Sequence, residues 1–312
     1  MIIGLYWEKA LHYGLIPCSE ALLESLLQPV SNKQEENMEL KSLRYEKNEG
    51  VATIIKSNPP QFGMTLEVLM EMKKTLKDAE RDSDISVIVI TAEEGFHMGA
   101  TVFGEVGDKD WKLSPLEFKE VSQVAHRLFR YIETLEKPVI GVAEAGAVGG
   151  GLENLHACDF VIAAETATFS QPEVTLGLNP GWGASQRIPR MIGWRKAKEF
   201  LLMGIEVTGL EAERMGLISR AVPVDDVQDE VDRFCDRLKI CAPVAWGYTK
   251  LAMNKTWEMD HRSGLDWELE AWGMTNSERE FNADVFEQFL KGEQPTFKKR
   301  RKMTNQEPWL KD

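Results

Sequence analysis

The stretch of this sequence that is richest in chemistry runs from Pro138 to Glu153 and contains three consecutive glycines, Gly149, Gly150 and Gly151. An apolar strand pattern precedes the glycines, and a helix pattern follows them. Glycine permits positive φ and leaves the backbone N–H groups without a shielding Cβ atom. At a helix N-terminus such N–H groups point outward and attract negative charge. The sequence therefore predicts a turn that holds an anionic group, with Glu153 in the first turn of the helix that follows.

Two other interpretations of this turn are open at this point. A dinucleotide-binding turn requires the pattern G-x-G-x-x-G, and the spacing of Gly146, Gly149, Gly150 and Gly151 does not match it. A plain tight turn without any ligand would use the same glycines.

A second glycine loop favours a ligand. The apolar run from Ile85 to Thr91 is typical of a strand buried on both faces of a parallel sheet, and it leads to Gly99 and Ala100. Open α/β sheets bind ligands at the carboxyl ends of their strands. Two backbone N–H groups from separate strand ends can converge on one oxygen, which is how an oxyanion hole is built.

A third segment, from Ala167 to Arg187, adds a second acidic side chain, Glu173. Taken alone, Glu153 is also explained as an ordinary glutamate of a first helical turn, and Glu173 as a surface carboxylate of a loop. Their position beside two glycine loops is what favours a shared site.

The elements that must position these residues alternate between strand and helix, which indicates βαβ units and a layered α/β core. After residue 193 the pattern is helical, with Ile218 to Val222 as the only extended stretch. The predicted strands are 40–45, 51–55, 85–91, 138–143 and 160–164, and the predicted helices before residue 193 are 65–81, 115–135 and 150–157.

We predict three parts: an N-terminal extension and linker over 1–37, an α/β core over 38–192, and a helical region over 193–312. The linker prediction rests on the polar run from Ser31 to Asn37.

Composition limits the partners and the compartment. With a formal net charge of −13, the chain has no general attraction for nucleic acid or anionic lipid. The four cysteines form no C-x-x-C pair and no zinc-site spacing, so we expect no metal and a reducing compartment. The N-terminus lacks the uninterrupted apolar stretch of a signal peptide, and no apolar run reaches the ~18 residues of a membrane span. We expect a cytoplasmic protein without membrane contact.

Together, three motifs carry a resemblance: Gly-Gly-Gly-Leu-Glu153, Phe-Ser-Gln-Pro-Glu173, and the run from Pro180 to Arg187. In this order and spacing they resemble the crotonase superfamily, the enoyl-CoA hydratase/isomerase family, from about Met38 to the tail. The resemblance implies a crotonase-like fold, with a layered ββα-repeat core and a helical C-terminal part. In this family that part covers the active site and forms homotrimers or homohexamers.

The resemblance also implies a site for an acyl-CoA thioester. The backbone N–H groups of Ala100 and Gly150 map onto the oxyanion hole, and Glu153 and Glu173 onto two glutamates that hold a water between them. No metal or redox cofactor is implied, because coenzyme A enters as part of the substrate. Further substrate contacts are implied at Phe62, Met98, Thr101, Val102, Gly149 and Trp182.

The chemistry of the two glutamates agrees with this assignment. Adding water across a C=C bond conjugated to a thioester needs a base for the water and an acid for the α-carbon, and two carboxyls can share these roles if their proton affinities differ. The helix N-terminus favours the carboxylate form of Glu153. Our hypothesis is therefore that Glu153 is the base and that Glu173 delivers the α-proton in an enoyl-CoA hydratase.

Departures from the family pattern keep other functions open. Many members carry Asp at the position of Thr101, and Gly63-Met64 replaces the usual Asn-Ala, so we expect one wall of the coenzyme A site to differ. An isomerase or a hydrolase of the same fold is the nearest alternative. An isomerase of this family usually needs only the glutamate at position 173, so Glu153 favours water addition. A non-catalytic acyl-CoA-binding or scaffold protein is the alternative from another class.

Two histidines lie near these motifs. His97 precedes the first glycine loop and could reach a ligand, although we expect an exposed side chain there. His156 follows Glu153 along the same predicted helix, and we expect it to be packed or to cap the helix.

Overall fold

The computed structural model describes residues 39–57, 63–97, 99, 114–277 and 284–297. The predicted extension over 1–37 lies outside this part of the chain. So do five of the predicted site residues, Phe62, Met98, Ala100, Thr101 and Val102.

The described residues form two sheets. The six-stranded sheet has the order β1-β2-β3-β5-β7-β10, in which only the β1–β2 pair is antiparallel. The four-stranded sheet has the order β4-β6-β8-β9. The strands are β1 Leu43–Asn48, β2 Val51–Lys56, β3 Val87–Ala92, β4 Phe96–His97, β5 Val139–Ala143, β6 Gly146–Val148, β7 Phe160–Ala164, β8 Thr168–Ser170, β9 Glu206–Thr208 and β10 Arg220–Val222.

Ten α-helices surround the sheets in the described part of the chain. They are α1 Leu66–Arg81, α2 Pro115–Thr134, α3 Gly150–Leu155, α4 Ala184–Ile192, α5 Trp194–Met203, α6 Gly209–Met215, α7 Val227–Lys239, α8 Pro243–Lys255, α9 His261–Ser277 and α10 Val285–Leu290. None of the described helices is both long and apolar enough to cross a membrane.

The large sheet is buried on both faces, as its apolar strands require. Along β3, Val87 and Val89 belong to one hydrophobic cluster, whereas Ile88 and Ile90 belong to the other. This alternation follows from the two-residue period of a strand. One cluster packs under α1 and α2, and the other packs under helices α4 to α7.

Each of the long helices α1 and α2 begins directly after a residue whose side chain caps it. Thr65 accepts a hydrogen bond from the Val68 N–H at the start of α1, and Ser114 forms a capping box with Glu117 at the start of α2. Such caps satisfy N–H groups that have no partner inside the helix. The prediction of a helix over 65–81 is confirmed, with Thr65 as its cap.

The strands of the small sheet were not predicted. The expectation that only 218–222 is extended beyond residue 193 is wrong, because β9 pairs with β8 in the small sheet. Four strands of two or three residues are too short to show an alternating pattern. Helix α4 also went unpredicted, since Pro189 lies inside it.

Candidate active site

The site is built where β6 turns into α3. Gly149 stands at this junction with φ 51° and ψ −128°, a conformation that side chains rarely adopt. Its N–H donates to the carbonyl of Ser170 at 3.1 Å, which fixes the turn to the end of β8. A Cβ atom on Gly149 would lie 2.9 Å from Oε1 of Glu173. Glycine is therefore required here by both the backbone and the neighbouring carboxyl.

The two glycine loops meet at this turn. A Cβ atom on Gly99 would lie 3.3 Å from the carbonyl oxygen of Val148 and 3.8 Å from the nitrogen of Gly150. The Met64 N–H donates to the carbonyl of Gly99 at 3.1 Å and anchors the first loop to the start of α1. The first loop thus passes directly beside the N–H of Gly150. Ala100, which would supply the second donor, lies outside the described residues, so the pair of donors stays a prediction.

Glu153 is buried beneath this turn, with 2% of its surface exposed. Its Oε1 accepts hydrogen bonds from the backbone N–H groups of Trp182 and Ala184, both at 2.9 Å. No hydrogen bond joins its Oε2 to the described residues. The run from Pro180 to Arg187 therefore supplies the donors that hold this carboxyl in one orientation.

Burial decides the proton affinity of Glu153. Burial, with a smaller contribution from the charge of Glu173, raises the pKa of this carboxyl to about 7 although the two N–H donors and Arg187 oppose the shift. The helix N-terminus was expected to favour the carboxylate, but the loss of hydration outweighs the donors. A carboxyl that titrates near neutral pH is suited to general acid–base catalysis.

Glu173 reaches the same turn from the other side. It opens a 3-10 helix, Glu173–Leu176, which follows β8. Gln171 donates to its Oε1 at 3.3 Å, and its buried Oε2 has no hydrogen-bond partner among the described residues. Burial raises the pKa of Glu173 above its ordinary value. Glu173 is therefore a half-buried group beside Gly149 and not a surface carboxylate.

A cavity of about 600 Å³ contains these groups. Trp182 forms part of its wall and packs against the ring of Phe129, with 6.0 Å between the ring centroids. Most of the surface of this wall is apolar, as expected for an acyl pocket. The cavity is lined by Gly99, Phe118, Lys119, Ser122, Val148, Gly149, Gly150, Glu153, Pro172, Glu173, Leu176, Leu178, Asn179, Gly181 and Trp182.

The two histidines lie outside this cavity. His97 is fully buried and donates from Nε2 to the carbonyl of Val142 at 2.7 Å, so the expectation of an exposed side chain is wrong. Burial, reinforced by Lys56, lowers the pKa of His97 well below its usual range. His156 is packed as predicted, and burial lowers its pKa to about 3. Both imidazoles are therefore neutral parts of the core.

Three groups of the site were missed in the sequence. Gln171 precedes Glu173 by two residues and is fully buried, and Ala184 acts only through its backbone N–H. Lys56 is also fully buried, with its Nζ 4.0 Å from Sδ of Met64, and burial lowers its pKa to about 7. Of these three residues only Lys56 has a sequence signal, because it is a lysine at the end of the apolar strand β2.

Known proteins resemble this chain along most of its length. A family model described as enoyl-CoA hydratase/isomerase matches residues 46–300. The short-chain-enoyl-CoA hydratase of Clostridium acetobutylicum is 31% identical over 239 residues, which cover 76% of this chain and 90% of that protein. The crotonyl-CoA hydratase of Syntrophomonas wolfei is 32% identical over 241 residues, with the same coverage of 76% and 90%.

Solved structures show the same likeness. The enoyl-CoA hydratase from Bacillus anthracis aligns with a TM-score of 0.74 at 25% identity, covering 83% of this chain and 99% of that one. An enoyl-CoA hydratase subunit from Geobacillus kaustophilus aligns with a TM-score of 0.76 at 25% identity, covering 84% and 99%. The crotonase-like fold predicted from the sequence is confirmed.

Proposed function

Because this chain belongs to the enoyl-CoA hydratase/isomerase family, we propose that it is an enoyl-CoA hydratase, a lyase that adds water across the C=C bond of a 2-enoyl-CoA thioester. One observation carries the choice of reaction: Glu153 and Glu173 line a single cavity together with the N-terminus of α3. Water addition uses a base and an acid at one double bond, and this cavity offers a carboxyl for each role.

In the proposed reaction Glu153 is the base. Its Oε1 is held by two N–H donors, which leaves Oε2 to accept a proton from water as the water oxygen bonds to the β-carbon. The electron pair of the C=C bond moves toward the carbonyl, and negative charge develops on the thioester oxygen. Glu173 then gives its proton to the α-carbon, which restores the carbonyl. A pKa of Glu153 near 7 supports its role, because the carboxylate is well populated at neutral pH.

The developing oxyanion is assigned to the backbone N–H of Gly150, with the N–H of Ala100 as its proposed partner. Gly150 begins α3, where backbone N–H groups lack partners inside the helix and carry partial positive charge. Loss of one donor from such a hole typically reduces the rate by ~10²–10³.

The remaining features of the function are proposals of the same kind. Hydration exchanges no electrons with a second molecule, so the reaction as proposed uses no metal or redox cofactor, and coenzyme A enters only as part of the substrate. We place the enzyme in the cytoplasm. We also propose a homotrimer or homohexamer that assembles through the exposed apolar side chains of α9, Leu265, Leu269 and Trp272.

Glu153 is held in the cavity wall by two backbone hydrogen bonds, and this favours hydration over double-bond isomerisation. An isomerase shuttles a proton along the acyl chain and can do so with one carboxyl, whereas this fold holds a second carboxyl against the same cavity with two backbone donors. The same pair argues against a protein that only binds acyl-CoA. A buried titrating carboxyl lowers stability, and acid–base chemistry gives a reason to keep it that binding alone does not.

The test compares crotonyl-CoA, whose hydration removes the conjugated thioester absorbance, with a 3-enoyl-CoA, which only an isomerase converts. We expect turnover of crotonyl-CoA, and we expect Glu153→Gln and Glu173→Gln each to reduce kcat by ~10²-fold or more, since general acid–base catalysis contributes about this much. Glu206→Gln, an exposed carboxyl on β9, is the matched control and should keep the rate within about twofold. Unchanged hydration in both active-site variants would disprove the mechanism.

A further inference from the structure

A histidine outside the cavity is connected to Glu153 through a single peptide group. His126 lies on the exposed side of α2, and its Nε2 is 2.8 Å from the carbonyl oxygen of Gly181. A carbonyl oxygen only accepts hydrogen bonds, so Nε2 is the donor. Both the neutral ring with its proton on Nε2 and the doubly protonated ring can donate from this atom.

The acceptor belongs to the peptide group that binds Glu153. The carbonyl of Gly181 and the N–H of Trp182 are the two ends of one planar peptide unit, so they point in opposite directions. The N–H end donates to Oε1 of Glu153 at 2.9 Å. This peptide thus stands between an imidazole and a carboxyl. A hydrogen bond received at its carbonyl polarises the peptide and strengthens the bond that its N–H donates.

The following peptide group of this loop, which begins with the carbonyl of Trp182, is also linked to α2, through Arg187. Nη1 of Arg187 donates to the carbonyl of Trp182 at 3.0 Å, and Nε of Arg187 is 2.6 Å from Oε1 of Glu133, in the last turn of α2. The carbonyls of Gly181 and Trp182 are therefore both tied to α2. His126 of that helix binds the first directly, and Glu133 of that helix holds the arginine that binds the second. The arginine is buried, with 8% of its side chain exposed, whereas His126 is exposed and can be replaced without opening the core.

We propose that His126 is a positioning residue for the acid–base chemistry: through the Gly181–Trp182 peptide it fixes Oε1 of Glu153 and so keeps Oε2 directed at the reacting water. The consequence for catalysis rests on the proposed hydratase function, but the hydrogen-bond relay does not. Loss of the imidazole donor weakens the bond from the Trp182 N–H. It thereby favours the protonated form of Glu153 and loosens its orientation.

The first test measures kinetics on crotonyl-CoA. We expect His126→Ala to lower kcat about three- to tenfold, the range that a net hydrogen bond provides, with KM changed less than about twofold. His126→Gln places an amide N–H near the position of Nε2 and should restore kcat to within about twofold. Arg127→Ala, the neighbouring exposed cation on α2, is the control and should match the wild type. A loss shared equally by the Ala and Gln variants, an effect on KM alone, or no effect would overturn the proposal.

The second test does not depend on turnover. Carbon-13 NMR of glutamate-labelled protein, with Glu153→Gln to assign the signal, follows the titration of Glu153 directly. The charged groups coupled to Glu153, namely Glu173 and Arg187, are the same in all variants. We expect a higher pKa of Glu153 in His126→Ala and a return to the wild-type value in His126→Gln. Equal titration in all three proteins contradicts the relay. A wild type that titrates as expected but hydrates no enoyl-CoA contradicts the proposed function instead.

Discussion

Single residues of the site follow from local sequence only in part. The glycine run and the Gln-Pro-Glu segment identify Glu153 and Glu173, because tight turns and helix starts have sequence signatures. The direction of the pKa shift of Glu153 was not readable, since it depends on burial by Trp182 and other residues distant in sequence. The roles of His126 and Ala184 could not be predicted from the sequence either. His126 binds a backbone carbonyl, and Ala184 binds Glu153 through its own backbone N–H.

The raised pKa of Glu153 predicts how stability depends on pH. Between the ordinary glutamate value of 4.5 and about 7, the folded protein binds this proton more tightly than the unfolded chain does. Stability therefore falls as pH rises through this window and stays constant above it. Glu153→Gln removes this dependence, and from ~1.4 kcal/mol per pKa unit we expect it to gain about 3 kcal/mol over the wild type between pH 5 and pH 8.

Urea unfolding at each pH, at one fixed protein concentration, gives the free energy of unfolding of both proteins. The difference between the two proteins is then compared between the two pH values, so that the contributions of other titrating groups cancel. Parallel pH dependence in the two proteins would show that Glu153 titrates normally.

At the scale of elements, length and amphipathicity decided what could be predicted. Helices α1 and α2 run for 16 and 20 residues with recognised caps, so their pattern is plain in the sequence. The small sheet has strands of two or three residues, yet β6 and β8 hold the glycine turn and lead to Glu173. The elements nearest to the chemistry were thus the ones with the weakest local signal.

The turn between β6 and α3 gives a prediction at this scale. Gly149→Ala places a Cβ atom against the carboxyl of Glu173 in a backbone conformation with φ 51°, so we expect a loss of about 1–2 kcal/mol in stability and more than tenfold in kcat. Gly193→Ala is the matched control, because Gly193 also has positive φ, 79°, but a Cβ atom there would have none of the described residues within 4 Å. It should lose stability and keep its activity.

Thermal melting and crotonyl-CoA kinetics on the two glycine variants separate backbone strain from displacement of the carboxyl. Equal activity in both variants would mean that Glu173 does not depend on this turn.

For the molecule as a whole, the sequence indicated the class of fold but not the strand order, because pairing between distant segments leaves no local pattern. Helix α9 exposes a row of apolar side chains in the described part of the chain. Leu265, Leu269 and Trp272 follow one another at helical spacing and are 50%, 67% and 67% exposed. An apolar stripe of this kind is typical of a protein interface.

We therefore expect light scattering coupled to gel filtration to give the mass of a trimer or a hexamer. Replacing Leu269 and Trp272 together by lysine should shift the protein toward monomers, because the charges would be buried without partners. Glu270→Lys, an exposed position on the same helix, should leave the mass unchanged. A monomeric wild type at micromolar concentration would contradict this assembly.

The closing strand of each sheet also has a consequence for synthesis on the ribosome. Strands β7 and β8 each pair on one side with an earlier strand, β5 and β6, and on the other side with β10 and β9, which are translated only after α4 and α5 have been made. A nascent chain that has emerged through β8 thus presents two strand edges with unpaired backbone groups, a known hazard for aggregation. We therefore expect the nascent chain to expose these edges to chaperones until residue 222 has left the exit tunnel.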